Sequence, residues 1–106
     1  MFGFNIWRVT GHSMSPAIPD GSYVVATRWF RLSMLRPGQR VILNHDTHGQ
    51  MIKTIEFIDR TGTVWCRGEN PLSLSVAQIG PVNKAQILGR VLLVIPCHSS
   101  TGSARA

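Results

Sequence analysis

The chain has 106 residues, 43% of them hydrophobic, and its eleven Lys and Arg against five Asp and Glu give a net charge of +6. That length makes one domain with its own core and leaves no room for a second, while the apolar content excludes a disordered chain. The positive residues are scattered, clustering only between Arg28 and Arg40, so they read as a solvated surface, and without a base-stacking or groove-reading motif no nucleic-acid partner is expected.

Short β-type runs separated by turn residues dominate the sequence. Phe4 to Val9 alternates apolar and polar residues. Ser13 to Ile18, with Pro16 early in it, predicts one helical turn. Pro19-Asp20-Gly21 turns the chain into the β-branched run Ser22 to Thr27. Pro37-Gly38 is a type II turn signal and leads into a strand from Arg40 to Leu43. His45 and His48 lie in a polar turn and are expected to be solvated. Met51 to Ile58 predicts a strand. Thr61-Gly62 then turns it into Thr63 to Arg67, completing a hairpin. Val82 to Gln86 predicts a short helical turn. Ile87 to Ile95 is a long last strand, in which Gly89 marks a bulge or a close backbone approach. The expected fold is mainly β, with curled antiparallel sheets over residues 1–96 and a flexible tail over 97–106.

No run approaches the roughly 20 apolar residues of a spanning helix, and the start MFGFNIWRV lacks a basic leader. The chain is therefore expected to be cytoplasmic or peripherally membrane-associated, with no transmembrane segment. Arg28 to Arg36 mixes basic, aromatic and apolar residues. Two readings apply: a loop that packs its apolar side on the domain, or peripheral membrane contact through Trp29, Phe30 and Arg31. Cys66 and Cys97 lack zinc-site spacing and read either as a disulfide or as two buried thiols. No metal and no cofactor are expected.

The chemistry concentrates in Val9-Thr10-Gly11-His12-Ser13-Met14-Ser15-Pro16. A strand ends, Gly11 permits a sharp turn, and Ser13 stands at its exit with backbone N–H groups near its hydroxyl. A nucleophilic serine needs that placement. Met14 points inward as the anchor. A serine hydroxyl also needs a base. His12 adjoins Ser13, His45 and His48 sit in a turn, His98 lies in the tail, and none has an orienting acid. Lys53 is the one lysine within an apolar strand, MIKTIEFI. The default place for it is the sheet's polar face. If buried, its ammonium form is disfavoured and the neutral amine can accept the serine proton.

These residues resemble the bacterial type I signal peptidases and their relatives. VTGHSMSPAIPDGSYVV is similar to the first box of that family, RPGQRVIL to the second and QMIKTIEFID to the box that carries the lysine. VWCRGENPLSLSVAQIGPVNKAQILGRVLLVI is similar to the closing box, and the four occur in order. The resemblance implies a signal peptidase/LexA-like catalytic core with a Ser/Lys dyad, Ser13 as nucleophile and Lys53 as general base. It implies oxyanion donation from the Ser13 N–H and a lysine-orienting role for Ser73. Gly68, Glu69 and Asn70 fall on the motif that supports the site. Gly11 falls where some members use a second oxyanion serine, a task its missing side chain cannot perform.

The family's Asp, second Ser and Arg of the closing box are replaced by Ser75, Val76 and Ala77, so the usual Asp/Arg brace is absent. In size the chain is similar to compact anchor-free relatives, some of which trim a leader from nickel-type superoxide dismutase. The function implied is serine endopeptidase, removing a leader or signal segment from a protein or peptide substrate. The alternatives are a catalytically inactive binding module on the same fold, or a LexA-like self-cleaving domain.

Overall fold

The computed structural model describes residues 3–96; the tail, with Cys97 and His98, lies outside the described residues. Six strands form one antiparallel sheet: β1 (Phe4–Arg8), β2 (Tyr23–Thr27), β3 (Arg40–His45), β4 (Gly49–Ile58), β5 (Val64–Arg67) and β6 (Ile87–Ile95). Their order across the sheet is β1-β2-β6-β3-β4-β5. The mainly β, antiparallel expectation holds. No helix among the described residues is long and apolar enough to cross a membrane.

The turns form for local reasons. Gly38 sits at φ 92° after Pro37, and the Gln39 N–H closes on the Arg36 carbonyl at 3.2 Å, the glycine position a type II turn demands. The β4–β5 hairpin is organised by Asp59. Its Oδ1 accepts from the N–H groups of Thr61 and Thr63 and from the Thr61 hydroxyl, and its Oδ2 accepts from the Trp65 indole. These donors favour the ionised form, the Thr61 hydroxyl foremost, and hold the Asp59 pKa below the usual carboxylate value.

The sheet carries two apolar clusters. In one, Val41 and Leu43 of β3 meet Ile55, Val64, Cys66 and Ile87. In the other, Ile42 joins Val24, Ala26 and Ile52 with Val9, Met14 and Ile18 of the β1–β2 connection. Strict alternation along β3 thus sends successive residues to opposite clusters. Register shifts at Val25/Ala26, Ile42/Leu43 and Ile55/Phe57 mark irregularities that bend the strands. Gly89 is a close approach: a Cβ there would lie 3.2 Å from both the Ala26 Cβ and the Thr27 carbonyl oxygen.

At four points the structure adds to local expectation or departs from it. The Ser13 to Ile18 segment is not a regular helix; it is a series of turns with one helical hydrogen bond, Ile18 N–H to Met14 carbonyl at 2.8 Å, and a cis Ser15–Pro16 peptide. The turn near Val82 is a 3-10 turn over Lys84–Gln86, capped by Asn83. A short helix, α1 (Val76–Ile79), was not foreseen, although Ser75 and Gln78 form a reciprocal capping box around it. His45 is half-buried, not solvated. Its Nε2 lies 2.7 Å from the Ile79 carbonyl oxygen, and its Nδ1 accepts from the Thr47 and His48 N–H groups.

Candidate active site

The connection after β1 fixes Ser13 from several sides. Val9 and Ser22 close the neck, with Val9 N–H to the Ser22 carbonyl and Gly21 N–H to the Val9 carbonyl, each at 2.7 Å. The Gly11 N–H donates to Asp20 Oδ1 at 2.8 Å, and Gly11 itself sits at φ 91°, a conformation glycine adopts without a Cβ penalty. Met14 and Ile18 are then driven into the core, at 1% and 0% exposure. Ser13 is left between this buried anchor and solvent, half-buried.

The far side of the site is built by the segment after β5. The N–H groups of Glu69 and Asn70 both donate to the Ser13 carbonyl at 2.8 Å. Gly68 lies against the same carbonyl and the Ser73 side chain: a Cβ on it would come within 2.8 Å of the Ser13 carbonyl oxygen and 2.6 Å of the Ser73 Cβ. The Glu69 carboxylate accepts from the Thr54 hydroxyl at 2.5 Å, which ties this segment to β4 one residue from Lys53. Arg67 pairs with Glu56 at 3.0 Å and with Glu69 at 3.9 Å. Glu69 and Asn70 therefore hold the main chain of Ser13 directly, and Gly68 leaves the room for that approach, roles that residue type alone does not reveal.

The segment without the Asp/Arg brace is held by other means. Asn70 accepts from the N–H of Leu72 through its side chain and from the N–H of Ser73 through its carbonyl. Ser75 caps α1, and α1 buries Ile79 in the core cluster. The Ser73 hydroxyl donates to the Asn70 carbonyl at 2.6 Å. That bond uses its proton and leaves its oxygen as an acceptor.

Lys53 is 3% exposed, against the expectation of a polar-face position. Ile52, Lys53, Thr54 and Ile55 are buried in succession, because β4 has core on both sides. Register pairs Lys53 with Val41 and Ile55 with Cys66, so Lys53, Ile55 and Cys66 share one face. Burial lowers the Lys53 pKa from the ordinary lysine value, with the charge of Cys66 acting in the other direction. The Cys66 thiol is itself pushed up by burial to about 11. It stays protonated at neutral pH. The ion pairs of the described residues involve only Arg67 with Glu56 and Glu69, so no carboxylate offsets the desolvation of the amine. Cys66 is a free, buried thiol.

Ser13, Lys53, Gly11 and Ser73 line one cleft of about 550 Å³. Its walls come from both apolar clusters, with Trp7, Val9, Ile42 and Ile52 on one side and Met51 and Leu74 on the other. Among the described residues, no hydrogen bond joins the Ser13 hydroxyl to the Lys53 amine. Met14 lies beneath the cleft rather than in it. Sequence reasoning missed Trp7, Gln50, Leu72 and Leu74 as cleft residues; Gln50, Leu72 and Leu74 lie inside the matching boxes and Trp7 just before the first. His12 also lines the cleft, exposed to solvent. Among the described residues, no group of three or more His, Cys, Asp or Glu is placed to hold a metal ion.

The arrangement offers a hydroxyl on a fixed turn and a desolvated amine in one apolar-walled hollow. A search of curated proteins finds no match to the chain. A family model described as Peptidase S24-like matches residues 4–92, from the start of β1 into β6. The chain therefore belongs to the Peptidase S24-like family, and serine-peptidase activity is the general class of chemistry that this membership implies.

Proposed function

We propose that the protein is a serine endopeptidase that removes a leader or signal segment from a protein substrate, with Ser13 as nucleophile and Lys53 as general base. The observation that carries this reading is a buried lysine, unpaired with any acid, lining the same cleft as Ser13. In the first step the neutral amine takes the Ser13 proton as the hydroxyl oxygen attacks the scissile carbonyl. The resulting ammonium returns that proton to the leaving amine as the C–N bond breaks, which leaves an acyl-enzyme. Water then gives a proton to the amine, attacks the ester and releases the acid, and Ser13 regains its proton. The Ser13 N–H, unused by the main-chain bonds of its turn, faces the task of oxyanion donor. Processing of another protein's leader, as in the compact relatives that trim superoxide dismutase, is the finer form of this proposal.

A serine-acylating fluorophosphonate or β-lactam probe tests the site. Wild type is expected to be labelled at Ser13 and Ser13→Ala is not. Equal labelling of both, or none of wild type, would favour the inactive module. The Peptidase S24-like match also supports self-cleavage. A fragment appearing at a rate independent of protein concentration would favour that second reading.

One surface supports action at a membrane. Register places Ile6, Val25 and Leu93 in one cross-strand row, and Arg8, Tyr23 and Ile95 in the next but one. Ile6, Leu93 and Trp29 are 70%, 55% and 62% exposed, and Trp29 packs edge-on against Phe4. Phe30 turns inward onto the core and takes no part. Contiguous apolar surface of this kind marks an interaction site. No acidic residue occurs in β1, β2 or β6, which suits an anionic bilayer. Wild type is expected to float with phosphatidylglycerol vesicles, and the Ile6→Asp/Leu93→Asp variant to stay behind. Wild type that fails to float removes the membrane reading.

A further inference from the structure

The cleft does not end at Ser13. It shares Trp7 and Gln50 with a second hollow, lined by Asn5, Ile6, Arg28 and Leu88. That hollow shares Arg28 and Leu88 with a third, lined by Phe30, Lys84, Ala85 and Ile87. Each hollow thus shares two wall residues with the next. The charged side chains along them are all basic: Arg8 and Lys53 in the cleft, Arg28 at the second junction and Lys84 beyond it. No Asp or Glu lines any of the three.

Arg28 is exposed, and the ion pairs among the described residues do not include it or Lys84. Lys84 lies 6.0 Å over the Phe30 ring, a contact that positions an ammonium without neutralising it. Two cations without a carboxylate partner, on hollows that adjoin the cleft, select for negative charge on whatever lies there. An arginine fork matches a carboxylate. An extended peptide is narrow enough to follow such a row of hollows, and successive side chains alternate along it.

We propose that the three hollows form one basic trough that receives an acidic, extended segment of the peptide substrate, with Arg28 and Lys84 as specificity-determining residues. The assignment to a substrate peptide rests on the peptidase reading of the cleft. The trough's preference for carboxylates does not need turnover and can be measured apart from it.

The probe is a fluorescein-labelled extended decapeptide of alternating Ala and Glu, compared with its Ala/Gln counterpart by anisotropy. The Glu peptide is expected to bind at least tenfold more tightly. Arg28→Glu and Lys84→Glu should each weaken it by roughly five- to tenfold, the size expected for reversing one exposed ion pair. Arg60→Glu, on the β4–β5 turn, changes net charge equally and should leave binding nearly unchanged. Equal affinity for the two peptides overturns the proposal. So does a loss in Arg60→Glu as large as in Arg28→Glu, because binding would then report net charge alone. A single-stranded oligonucleotide that binds more tightly than the Glu peptide, and depends on Arg28, overturns the peptide assignment.

In a second arm, wild type digests a proteome-derived peptide library. An acidic preference at a fixed offset on one side of the cut, reversed in Arg28→Glu, supports the trough. Cleavage without such a preference refutes it. Failure of Ser13 labelling with retained Glu-peptide binding would instead refute the peptidase reading alone.

Discussion

Replacing Lys53 by Met is expected to cut kcat/KM on the order of a thousandfold or more and at the same time to stabilise the fold. On the proposed mechanism, the activity loss follows from removing the base that the Ser13 hydroxyl needs. The stability gain follows from the burial of Lys53, which is 3% exposed beside Val41, Ile55 and Cys66. Its amine leaves water without gaining a carboxylate, so folding costs the protonated form. An apolar side chain of similar length removes that cost, for a gain of about 1–2 kcal/mol at neutral pH.

The pH dependence fixes the sign of both effects. The folded pKa of Lys53 is lowered, so below the ordinary lysine value the unfolded chain binds more protons than the folded one. Wild-type stability therefore rises with pH between the folded pKa and the ordinary value. The advantage of Lys53→Met should shrink over the same window. Denaturant melts up to about pH 9 suffice, because above the thiol's ordinary value of 9.0 the raised pKa of Cys66 begins to destabilise the fold. Activity should rise as pH passes through the lowered lysine pKa and level off before an ordinary lysine would titrate. A Lys53→Met protein that keeps wild-type cleavage, or that melts earlier at every pH, removes the buried-base account.

The strands were legible because alternation and turn chemistry agree. The run Ile87 to Ile95 gave its strand with the right ends, and Gly89 announced the close approach of β2. Lys53 itself was legible as a lysine in an apolar run, but its burial was not. Alternation assigns a polar residue to the open face, and only the three-dimensional path of the chain puts core on both sides of β4. α1 was overlooked for a different reason. Its Ser75-to-Gln78 capping box spans four residues, too few for a periodic signal. The expected role of Ser73 was also only partly legible. Its hydroxyl proton goes to a carbonyl three residues back, a local turn bond that a motif alignment does not display. The tie between Glu69 and Thr54 joins residues fifteen apart, and no spacing rule could have paired them.

Gly68→Ala is expected to damage the site severely. The backbone there is not left-handed, so conformational strain is not the cause. The cause is space. The new Cβ would collide with the Ser73 side chain and come within 2.8 Å of the Ser13 carbonyl oxygen. That carbonyl is also the acceptor for the N–H groups of Glu69 and Asn70. To admit the methyl, the segment after β5 must withdraw from the Ser13 turn, and both hydrogen bonds lengthen together. Overpacking of this kind costs about 1–3 kcal/mol, and a shift near 1 Å at the nucleophile costs about a hundredfold in kcat. Gly38→Ala provides the contrast. Its Cβ enters open space but its φ is 92°, so it should lose about 1 kcal/mol of stability and leave kcat unchanged. Combining Gly68→Ala with Ser73→Gly should recover part of the stability, because it removes one of the two obstructions. It should recover little of kcat, because the Ser13 carbonyl remains in the way. Full recovery of kcat in the double variant would mean that Ser73 alone sets the spacing, and that the main-chain clamp on Ser13 does not position the nucleophile.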